Sequence, residues 1–174
     1  MEGNRIFKEA MRIKNRYKTE DPYELLDALG IRARLSDKYG PAGLKGYCYF
    51  SKRIIFVVIN THLPEAEKRI VAAHEAAHVI LHRELIKLAP LKDFRLYDLT
   101  VKEEYEANLF AADFLIADEK VREMTRDEDM DFFKLCRQLF VPPELMTFKL
   151  YSLIRRGNDQ YRLPLDIDSK FLAK

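Results

Sequence analysis

Ile70-Val71-Ala72-Ala73-His74-Glu75-Ala76-Ala77-His78-Val79-Ile80-Leu81 is the stretch on which the reading of this chain turns. Nothing in it breaks a helix. Ahead of it, Pro64-Glu65-Ala66-Glu67-Lys68-Arg69 has the pattern of a helix start, with a proline in the first turn and acidic side chains where the helix dipole favours them. The spacing predicts a helix over 64–84. On it His74 and His78 stand one turn apart, about 6 Å along the axis and on nearly the same face. Two imidazoles so placed can converge on one metal ion, and Glu75 can reach a water on that ion rather than the ion itself. Apolar neighbours surround the set on most sides, so the helix is expected to be buried. Two imidazoles and a carboxylate are costly there unless they pair or bind a metal. The blander reading, polar residues near the surface of an amphipathic helix, fits that setting poorly. The pattern points to hydrolysis by a metal-activated water, with Glu75 as general base.

Such a site needs a third protein ligand. His82 has a suitable side chain but lies eight residues beyond His74, about 12 Å further along the same axis. Val79-Ile80-Leu81 offers no break that would fold it back. His82 is expected to line the cleft or support a ligand from behind, with a satisfied structural histidine as the alternative; His62 is assigned no role. The next helical stretch, Glu103-Glu104-Tyr105-Glu106-Ala107-Asn108-Leu109-Phe110-Ala111-Ala112, supplies carboxylates. Glu103 and Glu104 precede its apolar face and read as charges of a helix N-terminus. Glu106 sits among small and aromatic core residues, where a carboxylate calls for a cation. Spacing alone does not separate Glu103 from Glu106. Asn108 or Asp113 could orient a ligating histidine, with surface exposure the default for Asp113.

Working outward, helices are expected at 4–17 and 22–29, the second stopped by Gly30. Ile31 to Leu35 alternates apolar and basic residues as a half-exposed strand does. Gly46 to Phe50 and Ile54 to Ile59 read as a hairpin around Ser51-Lys52-Arg53. Further helices are expected at 100–116, 128–138 and 143–156, with a loosely packed tail from Gly157. The fold class is α+β: a small antiparallel sheet followed by a helical half that carries the histidine helix, in the manner of a zincin. The segment 128–156 alternates helix and turn, but Glu144 to Leu150 is apolar on several faces, which favours core packing over a DNA-reading helix.

A length of 174 residues suits a single domain, 1–174. The formal charge of +2 is too small to argue for nucleic acid, so no direct nucleic-acid contact is expected. The basic residues from Arg5 to Lys18 are interleaved with glutamates and read as a solvated helix face. No apolar run approaches the roughly 20 residues that span a bilayer, and the N-terminus is polar rather than secretory. Cys48 and Cys136 have no metal spacing and read as buried free thiols. Together these place the chain in the cytoplasm.

At His74 to His78 the chain resembles the ImmA/IrrE family of metallo-endopeptidases. The resemblance extends to His82, four residues after the second histidine, and to the Glu-Ala-Asn-x-Phe-Ala run at Glu106 to Ala111. It extends also to the strand from Ile54 to Asn60 and to the helical element from Phe133 to Leu150, and so covers roughly 22–155. Ala77 stands where members often have glycine, and Ile116-Ala117-Asp118 replaces a frequent Met-Pro. The resemblance implies a Zn2+ ion held by His74, His78 and Glu106, with Glu75 as the base. It also implies regulatory proteolysis of a specific partner, a helix-turn-helix repressor in trans, often one from a phage or mobile element. The alternatives are a non-catalytic zinc-containing regulator that binds a partner or senses stress, and a toxin–antitoxin type of interaction protein docking through its basic first helix. An intact Glu75 favours cleavage, since binding alone needs no base.

Overall fold

Strands form where β-branched and aromatic residues cluster. In the computed structural model, which describes residues 2–88, 101–127, 129–158 and 160–161, such clusters form β2 (Gly46–Ser51) and β3 (Ile54–Asn60), and β1 (Arg32–Ser36) is a strand without them. They form a three-stranded sheet in the order β1-β3-β2. β2 and β3 make the expected antiparallel hairpin, with Ser51 opposite Ile54 and a turn of Lys52 and Arg53 at φ 48° and 67°. Two successive positive φ values match the right-handed twist of the strands.

β1 pairs with β3 in parallel, Arg32 opposite Phe56 and Ser36 opposite Asn60. The sheet is therefore mixed, where a wholly antiparallel one was expected. The reason is topological: the 37–45 loop reverses the chain, the hairpin reverses it again, and β3 enters between β1 and β2 running the same way as β1. Buried Asn60 ties that loop down, its amide nitrogen donating to the carbonyls of Gly40 at 2.7 Å and Leu44 at 3.0 Å.

Helix α1 (Glu2–Tyr17) buries Ile6, Ala10 and Ile13 at helical spacing and leaves Glu9 and Arg12 paired on the outside at 2.8 Å. α2 (Pro22–Ala28) is capped by Asp21, whose Oδ1 accepts from the Tyr23 and Glu24 amides at 2.8 and 3.2 Å. α3 (Glu65–Leu81) packs on β2 and β3 on one side and on α5 (Val101–Leu115) on the other, and every residue from Ile70 to Val79 is buried. Ala72, Ala73, Ala76 and Ala77 on α3, and Ala107, Ala111 and Ala112 on α5, have no exposed surface; such small residues let two helix backbones approach closely. The helix expected over 64–84 ends at Leu81, because His82 leaves helical geometry at φ −125°, ψ 26°, and a short α4 (Arg83–Leu88) follows.

α6 (Asp118–Met124), α7 (Phe132–Leu139) and α8 (Pro143–Arg155) complete the helical half. α7 begins later than the expected 128 because Asp131 caps it, accepting from the Lys134 amide at 2.7 Å. Leu145, Met146, Phe148, Leu150 and Leu153 of α8 are all buried, in keeping with a core role for that helix. Asp113 reverses its expectation: it has no exposed surface, and it accepts from Lys149 at 2.9 Å and Ser152 at 2.7 Å. Lys149 also reaches Asp118 at 2.6 Å, so one fully buried ammonium links α5, α6 and α8. Both cysteines are free and buried. No described helix is long and apolar enough to cross a membrane. The tail expected from Gly157 lies largely outside the described residues.

Candidate metal centre

Helical spacing alone brings His74 and His78 to one face of α3, and packing against α5 decides what they meet. Their Nε2 atoms lie 3.0 Å apart. Across the helix seam the Glu104 carboxylate stands 3.3 Å from His74 Nε2 and 3.4 Å from His78 Nε2. All three side chains are buried, Glu104 to 1% exposure. Neither Glu104 oxygen has a hydrogen-bond partner, so the contacts to the imidazoles are close but not hydrogen-bonded. A buried anion with both oxygens unsatisfied is costly unless a cation completes it. The three donor atoms lie within 4.8 Å of one another and could hold a metal ion. Their separations approach the edge of a tetrahedron built on zinc bonds of about 2.0–2.2 Å, roughly 3.3–3.5 Å.

The other ring nitrogens are held from behind. His74 Nδ1 is 2.9 Å from Asn108 Oδ1, an acceptor, which puts the ring proton on Nδ1 and leaves the Nε2 lone pair facing the gap. His78 Nδ1 is 3.2 Å from His82 Nδ1, and His82 Nε2 is 3.0 Å from Glu106 Oε2. Asn108 and His82 thus each contact one of the two histidines on the side away from the gap.

Glu106 does not join the pair. The carboxylate that the family resemblance implied as third ligand is turned to His82 and to Arg5, whose Nη2 lies 2.6 Å from its Oε1. Residues two apart on a helix point about 200° apart around its axis, so Glu104 and Glu106 cannot face the same gap. Glu104, read from the sequence as a terminal helix charge, is the carboxylate that does. A signal was present: Glu104 and Asn108 are four apart and so share a helix face, and Asn108 meets His74 of α3.

Electrostatics follows the geometry. Burial pushes the Glu104 carboxyl up, but the two imidazoles outweigh it and hold the pKa well below the ordinary carboxylate range. Burial lowers His78 to about 4, which keeps it neutral and able to ligate. Burial also lowers His74, but its contacts with Glu104 more than offset this and leave it raised. Glu75 is buried on the sheet side of α3, and burial raises it to about 7, where a carboxylate can both take and return a proton near neutral pH. β2 passes directly over it: a Cβ at Gly46 would lie 3.5 Å from Glu75 Oε1 and only 2.3 Å from Val71 Cγ1. The absence of a side chain at Gly46 therefore sets how closely the strand approaches the base.

Comparison with known proteins bears on this arrangement. Residues 26–151 match the Peptidase_M78 family, described as the IrrE N-terminal-like domain. The chain is also similar to "Uncharacterized immunity region protein 2" of Bacillus phage phi105, at 33% identity over 107 residues. That alignment covers 62% of this chain and 65% of the phage protein, just under two thirds of the relative's own length. No solved structure matches. Both the histidine helix and the Glu104 helix lie inside the matched family region, whereas α1 lies ahead of it.

Proposed function

The chain belongs to the Peptidase_M78 family of IrrE N-terminal-like domains, and from that membership we propose that it is a zinc-dependent endopeptidase acting on a specific protein partner, a helix-turn-helix repressor of bacterial or phage type supplied in trans. The observation that carries the reading is the convergence of His74, His78 and an otherwise unsatisfied Glu104 beside a buried Glu75. Two imidazoles and a carboxylate suit zinc, with one position left for substrate or water. Held by His74, His78 and Glu104, a zinc ion would supply the Lewis acidity that polarises the scissile carbonyl and the attacking water. Glu75 takes the proton of that water and delivers it to the leaving amide nitrogen. Asn108 and His82 hold the two imidazoles in the tautomer that ligation requires. A similar protein from a phage immunity region supports a repressor as the substrate class.

The test is a cleavage assay. The zinc-loaded chain is incubated with candidate helix-turn-helix repressors, and new termini are sought by mass spectrometry. Cleavage by the wild type, and none by a Glu75→Gln variant that still holds zinc, is the expected result. A repressor displaced from its operator by both proteins, with no new terminus, would instead favour a regulator that binds without cutting.

A further inference from the structure

The chain of contacts behind His78 has a direction. A lone pair at His78 Nε2, facing Glu104, leaves the proton of the neutral ring on Nδ1. That N–H points at His82 Nδ1, 3.2 Å away, which must accept. The His82 proton then sits on Nε2 and is donated to Glu106 Oε2 at 3.0 Å. The second Glu106 oxygen accepts from Arg5 at 2.6 Å, and Arg5 can only donate. Each group has one role that satisfies its neighbours, and the order runs from the candidate metal gap to the surface, where the Arg5 side chain is 58% exposed. Glu106 and His82 are both nearly buried, at 5% and 6% of their side-chain surface. Without the guanidinium, Glu106 would lose its only cationic partner among the described residues apart from the imidazole it is meant to orient.

Arg5 also comes from an unexpected place. It lies on α1, which packs against α5 and α8 and stands ahead of residue 26, where the family match begins. We propose that Arg5 is a positioning residue for the metal centre, acting through Glu106 and His82 to hold the His78 ring in its ligating tautomer and orientation. α1 is then a strut of the site, and Glu106 is the anchor of that strut rather than a ligand. This inference rests on the metal-centre reading given above.

The experiment measures zinc affinity by competition with a chromogenic chelator, and the absorption spectrum of the cobalt-substituted protein, for the wild type, Arg5→Ala, Arg5→Lys, Glu106→Gln and Arg12→Ala. Removing a carboxylate or its partner behind a ligating histidine costs on the order of 10- to 100-fold in metal affinity. Glu106→Gln is expected within that range, and Arg5→Ala near its lower end, about tenfold. Both should shift the cobalt bands, and Arg5→Lys should recover most of the affinity. Arg12→Ala, which removes an exposed pair with Glu9 on the same helix, should match the wild type. Nitrogen-15 NMR of the histidine rings in the zinc-loaded proteins adds a readout that general loosening does not mimic: His82 protonated on Nε2 in the wild type, and a mixture of tautomers in Arg5→Ala. Unchanged zinc affinity and tautomer in Arg5→Ala, or an equal loss in Arg12→Ala, overturns the positioning role while leaving the metal centre standing. A wild type that binds no zinc overturns both.

Discussion

The Glu104 carboxylate lies 3.3 Å from Nε2 of His74, across the seam between α5 and α3, and it has no hydrogen bond of its own. Glu106, two residues further on, is committed to His82 and Arg5. The two glutamates should therefore respond differently to the same substitution. Glu104→Gln replaces an anionic donor in the metal gap and is expected to abolish stoichiometric zinc binding, whereas Glu106→Gln should still bind one zinc per chain, more weakly. Elemental analysis of the purified proteins at equal protein concentration checks this. Equal zinc content in the two variants would remove Glu104 from the site.

Gly46 offers a test on the strand side. A methyl group there would meet Val71 Cγ1 at 2.3 Å and the Val58 carbonyl oxygen at 3.0 Å. Val71 is only 1% exposed, with little space to retreat, so Gly46→Ala should cost about 1–3 kcal/mol of stability, the usual range for overpacking. The strand can relieve the clash only by moving off α3, which would loosen the cover over Glu75. We expect a lower denaturant midpoint together with a larger fractional loss of proteolysis than of zinc binding. A variant with wild-type stability would mean that β2 can lift freely from the helix.

The buried Lys149 network predicts a pH dependence. Burial pushes the Asp118 carboxyl up, but Arg156 and Lys149 outweigh it and lower it to about 2, from 3.8. A carboxyl lowered on folding binds fewer protons in the folded than in the unfolded state between those values. Its stabilising contribution is complete above about pH 4 and is lost as the pH falls toward 2. Asp113, raised by burial despite Lys149, works in the opposite sense, so the comparison is best made with a single variant. Asp118→Asn should be less stable than the wild type at pH 7 by about 3 kcal/mol, because it leaves Lys149 and Arg156 short of an anion. That difference should shrink steadily between pH 4 and pH 2. Denaturant unfolding followed by circular dichroism measures it, and a gap that stays constant across this range would exclude Asp118 as the titrating group.

Much of the architecture could be read before any tertiary information. The repeat of apolar residues around His74 and His78 set the helix, its burial and the common face of the two imidazoles, since all three depend only on a period of 3.6 residues within one segment. The hairpin of β2 and β3 was likewise legible, because strand propensity and a two-residue turn act locally. The apolar faces of Glu144 to Leu150 correctly marked that segment as core.

What escaped the sequence were relations between segments. Whether Glu103, Glu104 or Glu106 faces the histidines depends on the rotation of α5 about its own axis, about 100° per residue, and the packing of α5 between α3, α1 and α8 sets that rotation. Whether β1 pairs in parallel depended on which strand it joined, and it joined β3 rather than β2. Asp113 was expected at the surface because its partner Lys149 lies 36 positions away, and Arg5 reaches Glu106 across 101. Local periodicity determined which residues could share a face; only the packing of one element on another, driven by burial of small and apolar surfaces, decided which charged group each face would meet.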